Sequence, residues 1–225
     1  MQVNIILLAA GKGHRFQQST VDSGDTTAIK QLAQLNGKAL IVHSIEQLHP
    51  LLAQPQVSNL YVTLGANKNV IKAVLPSKIS VISSQQWSKG MGHSLAESVH
   101  SIKAQSSHVL VALADQALIT TEHYQALIKS GKRNPTKIIA TSCENNLMAP
   151  AIFPEKYFAQ LMKLHGDKGA GNLIKQYAAQ VQTVVCNSAK FDIDTLAELE
   201  QISQMLKHPT FDEETPSHCQ NLESV

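Results

Sequence analysis

The sequence predicts an α/β fold of three layers, α-β-α, built on a mostly parallel sheet. Two observations carry that prediction. Short apolar runs such as VNIILLAA and HVLVALAD recur along the chain, and several are apolar on both faces, as strands covered on both sides must be. Stretches with helical spacing lie between them, so strand and helix alternate in the manner of a parallel sheet with helical crossovers. The chain has 225 residues and is 43% apolar, enough for a sizeable core, and no repeat or linker divides it. One domain is expected over 1–208, followed by a tail at 209–225 that is acidic and broken by Pro216.

The elements follow in order. VNIILLAA at 3–10 reads as a buried strand, and the polar, turn-rich QQSTVDSGDTTAI at 17–29 reads as a mobile loop. Helical spacing at 38–49 is stopped by Pro50. A strand at 59–65, a helix at 66–75 and a strand at 79–83 come next. A helix at 92–104 leads to a fourth strand at 108–115, and Thr120 offers a cap for a helix over 120–130. A strand at 137–142, helices at 155–165 and 168–178, a strand at 181–185 and a helix at 195–206 complete the pattern. Sheets of this kind bind ligands at the carboxyl ends of their strands.

Composition excludes several function classes. Charged residues make up 16% of the chain and the net charge is +2, too even for a polybasic nucleic-acid surface. One local cluster can still hold a small phosphorylated ligand. Cys143, Cys186 and Cys219 form no CxxC pair and no disulfide framework, which suits a reducing compartment. The opening MQVNIILLAAGKG is interrupted too early to be a signal peptide, and no stretch approaches membrane-spanning length. A soluble, cytoplasmic protein with no membrane partner is expected.

The loop after the first strand reads Ala9, Ala10, Gly11, Lys12, Gly13, His14, Arg15. It is neither a Walker A loop nor a GxGxxG turn, since the required spacing and the third glycine are missing. Small residues nevertheless let backbone N–H groups turn inward as an anion nest, and Arg15 can grip phosphate oxygens through its planar fork. A phosphate loop and a plain tight turn both fit these residues. Asp115 ends an apolar strand, where a carboxylate needs a partner. Asp192 and Asp194 lie two apart and share a face if extended, and Asp194 is also placed to cap the helix near Thr195. The acids read either as one cap with two loop acids, or as a Mg²⁺ site of Asp115 with one of the late pair, since hard oxygens suit Mg²⁺. The ten histidines are scattered without ligand spacing, which excludes a histidine metal centre.

LLAAGKGHRF, followed by a lysine ahead of LNGKAL, resembles the signature of nucleotidyltransferases with the nucleotide-diphospho-sugar transferase fold, a Rossmann-like type. Leu8, Ala9, Ala10, Gly11, Gly13 and Arg15 match the loop; the downstream lysine corresponds to Lys30 after an unusually long insertion, with Lys38 as the alternative. SSQQWSKGMGHSLAESV matches at Trp87, Gly90, Met91 and Ser94, and VLVALADQALIT at Asp115 and Gln116. MAPAIFPEKYFAQLMKLHGDKGAGNLI matches at Pro150, Phe153, Leu161, Gly166, Asp167, Gly169 and Ala170, and FDIDTLAEL at Asp192, Ile193, Asp194 and Thr195. Ala114, Ala117, Gly171 and Leu196 depart from the usual Gly, Pro, Arg and Pro. Together the segments resemble the molybdenum cofactor cytidylyltransferase-like branch of the MobA-like NTP transferases.

That resemblance implies transfer of a nucleotidyl group from an NTP, CTP in preference to GTP, to a phosphorylated acceptor such as molybdopterin cofactor, with release of pyrophosphate. Arg15, Lys30, Asp115 and Asp192 are the implied catalytic group, with Mg²⁺ held by Asp115 and Asp192 and with Asp194 as cap or supporting acid. The nucleotide falls to Leu8, Ala9, Ala10, Gly11, Lys12, Gly13, His14 and Arg15 with Gly65, Gly90 and Met91. The second substrate falls to His93, Ser94, Gln116, Pro150, Gly166, Asp167 and Gly169. Trp87 is placed either to stack on a base or pterin or to pack at the rim. His93 reads as a substrate contact or simply as a helix-start residue. A molybdoenzyme or cofactor-inserting protein is the implied downstream partner. A guanylyltransferase of the same cofactor and a sugar-1-phosphate nucleotidyltransferase are the alternatives within the fold; a non-catalytic nucleotide-binding module is the alternative outside it.

Overall fold

In the chain's first strand, β1 (Val3–Leu8), alternate residues serve opposite faces of a sheet. Val3, Ile5 and Leu7 enter one apolar cluster and Ile6 and Leu8 enter another. The computed structural model describes residues 1–21 and 28–207. After β1 come α1 (His14–Thr20), the short pair β2 (Gln34–Leu35) and β3 (Lys38–Ala39), α2 (Leu40–Leu48), β4 (Val57–Leu64), α3 (Lys68–Ala73) and β5 (Ser80–Ser83). Then follow α4 (Met91–Ile102), β6 (His108–Leu113), α5 (Thr121–Arg133), β7 (Ile138–Cys143), β8 (Asn146–Pro154), α6 (Phe158–Leu161), α7 (Gly171–Gln176), β9 (Val181–Val185) and α8 (Leu196–Lys207).

The main sheet has the order β5-β4-β1-β6-β8-β7-β9. All its strands are parallel except β8, which runs antiparallel between β6 and β7. Residues from α2, α3 and α5 cover one face, among them Ile41, Ile45, Ile71, Tyr124 and Leu127; Leu95, Val99, Phe158, Leu161 and Ile174 from α4, α6 and α7 cover the other. The three-layer α/β prediction therefore holds. The chain first winds from β1 outward through β4 to β5, then returns to place β6 on the other side of β1. Loops leaving the carboxyl ends of β1 and β6 diverge at that point and open a crevice.

Several elements differ from the sequence reading. Residues 17–20, expected in a loop, belong to α1, because Phe16 and Thr20 are buried and Phe16 joins Leu199 and Ile202 of α8 in a third cluster; residues 22–27 of that expected loop lie outside the described residues. The expected helix at 38–49 begins only at Leu40: Lys38–Ala39 pairs with Gln34–Leu35 around Asn36 and Gly37, both at positive φ. β8 was not foreseen, since NLMAPAIFP carries two prolines and Pro is poor strand material. The helices expected at 155–165 and 168–178 shrink to a 3₁₀ turn with α6 and to α7. The tail at 209–225 and Cys219 lie outside the described residues. Among the described residues no helix is long and apolar enough to cross a membrane.

Candidate active site

The crevice above β1 and β6 is a cleft of about 620 Å³. One wall is the loop 9–15. Gly13 adopts φ +72, and a Cβ there would lie 2.9 Å from Lys30 Cβ, so the loop seats directly on that lysine. Ala10 O accepts from Ala66 N–H at 3.0 Å, tying the loop to the end of β4. Arg15, in the first turn of α1, holds its guanidinium out with its side chain 74% exposed.

The floor carries the charges. Lys30 sits in a 3₁₀ turn, and its Nζ donates to Asp115 Oδ2 at 2.8 Å and to Asp194 Oδ1 at 2.7 Å. Burial would pull the lysine's pKa down, but the charge and hydrogen bonds of Asp115 and Asp194 outweigh it and hold the pKa above its ordinary value. Arg15 completes the set through a 2.6 Å contact with the other oxygen of Asp194. Asp115 is delivered by the end of β6, and its carbonyl accepts from Ile193 N–H at 3.0 Å, which draws the late segment 191–194 against it.

Of the two roles open to Asp194, cap or supporting acid, its side chain does not make the cap. Its carboxylate is taken by Lys30 and Arg15. The cap is made by its neighbours: Glu198 N–H donates to Thr195 Oγ1 at 3.3 Å, and Glu198 Oε2 accepts from Asp194 N–H at 2.8 Å and from Thr195 Oγ1 at 3.0 Å. Asp192 also lines the cleft and keeps solvent contact. Protein crowding around its carboxyl, and then the charge of Asp115, raise its pKa to about 6; hydrogen bonding from Gln116 and the charge of Lys30 work against the rise. Lys38, the alternative lysine, pairs with Glu46 away from the cleft.

Trp87, Ser88, Gly90 and Met91 form the opposite wall, ahead of and at the start of α4. Gly90 adopts φ +114, and a Cβ there would lie 2.3 Å from Gly166 C. Only glycine admits that approach. The turn around Gly166 is pinned onto α4: Gly92 N–H donates to Gly166 O at 2.8 Å, and Gly166 N–H lies 3.0 Å from His93 Nδ1, which also stands 3.1 Å from Lys89 O. The pinning brings Asp167 into the cleft wall.

Of the residues singled out from sequence, Leu8 through Arg15, Lys30, Gly90, Met91, Ser94, Asp115, Asp167 and Asp192 line this cleft. Gly65, His93, Gln116, Pro150, Gly166 and Gly169 do not; they stand behind it. Gly65 backs Trp87, Gly169 lies against Met91, and His93 and Gly166 make the clamp just described. Gln116 is buried and reaches toward the carbonyls of Ala149 and Ala189, and Pro150 is buried in β8, accepting from Thr141 Oγ1. Phe16, Gln31, Leu40, Ser88 and Leu113 line the cleft without having been foreseen. Gln31, directly after Lys30 in IKQL, is the informative omission, because a buried amide needs partners.

Comparison with known proteins bears on the fold and the family. The bifunctional protein GlmU of Francisella philomiragia is 32% identical over 130 residues, covering 58% of this chain and 26% of that protein, so the chain spans about a quarter of that relative's length. Among solved structures, the nucleotidyl transferase Mth528 from Methanothermobacter superposes with a TM-score of 0.77 at 14% identity, covering 92% of this chain and 99% of the other. Rv0371c of Mycobacterium tuberculosis H37Rv, solved in complex with manganese, gives 0.71 at 20% identity, covering 91% and 99%. Molybdopterin-guanine dinucleotide biosynthesis protein A from Archaeoglobus fulgidus gives 0.64 at 15% identity, covering 91% and 98%. The sequence profile of the MobA-like NTP transferase domain matches residues 5–181, and the chain belongs to that family of nucleotidyltransferases.

Proposed function

We propose that this protein transfers CMP from CTP to the phosphate of a small acceptor of the molybdopterin type, releasing pyrophosphate. The observation that supports transferase chemistry is the joining of Asp115, Lys30 and Asp194 on the floor of a cleft walled by the glycine loop and Arg15. The molybdopterin-type acceptor and the cytidylyl preference rest on the motif resemblance, with Ala10 lining the cleft as the steric element that favours a pyrimidine.

The attacking phosphate oxygen is already an anion, so no strong general base is needed. The site must align the groups and neutralise charge as it develops. The loop amides and Arg15 bind the β- and γ-phosphates. Lys30, kept cationic by its two carboxylates, neutralises charge at the α-phosphate. The wall from Trp87 to Ser94 faces the nucleoside, and Asp167 with the Gly166 turn faces the acceptor.

A divalent cation fits the acids. Asp115 Oδ1 is buried with no hydrogen-bond partner among the described residues, and Asp192 faces solvent beside the charge of Asp115. Asp115 and Asp192 would hold Mg²⁺, which when bound supplies charge neutralisation to the triphosphate. No group of three or more His, Cys, Asp or Glu side chains among the described residues forms a ready-made metal site. That suits an ion that takes one or two carboxylates and fills its shell with water and phosphate oxygens.

The test is pyrophosphate release from CTP, GTP, ATP and UTP with Mg²⁺ or Mn²⁺, against a molybdopterin-type acceptor and a sugar 1-phosphate. Highest kcat/KM for CTP with the pterin acceptor is expected. Preference for GTP with the same acceptor would move the assignment to the guanylyl alternative, and turnover only with the sugar phosphate would move it to the sugar branch. Ala10→Gly should narrow the CTP over GTP ratio by roughly tenfold, since overpacking of one methyl group costs about 1–3 kcal/mol.

A further inference from the structure

We propose that Gln31 is a positioning residue that sets the peptide orientation of the triphosphate loop; the inference rests on the transferase reading above. Gln31 is 7% exposed. Its Nε2 donates to Ala9 O at 3.1 Å and to Gly11 O at 2.7 Å, so both amide hydrogens are spent on the loop. Its Oε1 is buried with no partner among the described residues. Leu or Met would fill the space without that burial cost, so the NH₂ end accounts for the choice of residue.

The consequence follows from planarity. In a trans peptide, the C=O of one residue and the N–H of the next point in opposite directions. Fixing Ala9 C=O and Gly11 C=O toward Gln31 therefore turns the amides of Ala10 and Lys12 the other way. Three neighbouring carbonyls are held too: Leu8 O accepts from Ala114 N–H at 3.1 Å, Ala10 O from Ala66 N–H at 3.0 Å and Gly13 O from Gln17 N–H at 2.9 Å. The amides of Gly11, Lys12, Gly13 and His14 have no hydrogen-bond acceptor among the described residues. The carbonyls of Leu8, Ala9, Ala10, Gly11 and Gly13 are thus engaged by the protein while the donors are left for an anion, which is the condition for a nest. One 3₁₀ turn, Lys30–Leu32, performs two tasks with adjacent residues: Lys30 neutralises the carboxylates, and Gln31 orients the loop.

Gln31→Met keeps the volume and removes both donors; Gln31→Asn keeps the amide but is one methylene too short to reach both carbonyls. Binding of inorganic pyrophosphate, CTP and cytidine to the full chain is measured by calorimetry, beside thermal unfolding. Both variants should show Kd for pyrophosphate and CTP raised about tenfold, the effect of two hydrogen bonds lost or misdirected, with cytidine affinity unchanged. Asn should be the milder. Unchanged pyrophosphate affinity in either folded variant overturns the inference. So does a fall in cytidine affinity equal to that for CTP, which would mark Gln31 as a support for the cleft as a whole. Wild-type protein that binds neither CTP nor pyrophosphate overturns the transferase reading itself, and this inference with it.

Discussion

Asp115, Asp192 and Asp194 have the same side chain and different electrostatic positions. Asp194 is compensated twice, by Arg15 and Lys30, and Asp115 once, by Lys30. Asp192 has no ion pair among the described residues and stands next to the charge of Asp115. A cation entering the cleft gains most beside Asp115 and Asp192, and that ordering yields a prediction. Asp115→Asn should lower kcat by about a hundredfold or more with folding intact, because it weakens both the metal and the hold on Lys30. Asp192→Asn should weaken Mn²⁺ affinity, read by paramagnetic resonance. Asp194→Asn should instead release Arg15 and Lys30 and act on the KM for NTP. If Asp194→Asn removes Mn²⁺ binding and Asp192→Asn does not, the two acids exchange roles. At this scale the sequence was informative where the chemistry is local. The loop from Ala9 to Arg15 is contiguous and carries its own signature. The sequence leaves Asp194 open between cap and supporting acid and does not mark Gln31, because their roles depend on partners 164 and 20 residues away, which no local spacing encodes.

Secondary elements were legible where one face or both faces are buried over several residues. β1 and β6 are apolar on both sides, and the period of α5 is strong, so both kinds of element could be placed. β8 escaped because pairing with β6 and β7 overrides its weak propensity, and α1 escaped because only Phe16 and Thr20 face inward from an otherwise polar segment. The start of α8 shows why element ends matter to the site. Thr195 and Glu198 close the first turn around the backbone of Asp194, and Leu196 N–H donates to Ser19 Oγ of α1 at 2.9 Å. Thr195→Ala removes the cap and should cost about 0.5–2 kcal/mol, a fall in Tm of several degrees in a domain of this size. Because the loosened turn carries Asp194, the KM for NTP should rise as well. A lowered Tm with unchanged KM would mean that Lys30 and Arg15 alone suffice to hold Asp194. Thr195→Ser, which keeps the hydroxyl, should restore both.

Over the whole molecule, the site and the core titrate in opposite senses. β7 and β8 bring Thr141 and Pro150 together deep in the sheet, where Thr141 Oγ1 donates to Pro150 O at 2.7 Å. That hydroxyl has then spent its proton, so His123 Nε2, 2.8 Å away, must be the donor to Thr141. His123 lies on the buried face of α5, and burial pushes its pKa from 6.5 down to about 4. Its folded pKa lies below its unfolded one, so the unfolded chain binds the extra proton first as pH falls. The stabilisation is present above pH 6.5 and is lost as pH falls toward 4. Asp192 behaves oppositely: its pKa is raised from 3.8 to about 6, so its contribution is present below 3.8 and is lost as pH rises through 6. The two windows overlap, and wild-type stability alone would blur them. His123→Gln keeps an N–H donor for Thr141 and does not titrate. The difference in Tm between wild type and His123→Gln should therefore be constant above pH 7 and shrink or reverse between pH 6.5 and 4, while the Asp192 contribution cancels. After allowance for solvent screening the change corresponds to roughly 2 kcal/mol, or several degrees of Tm. A difference that stays flat across that range would mean that His123 takes up its proton in the folded protein, and that the His123–Thr141–Pro150 chain opens without loss of the fold.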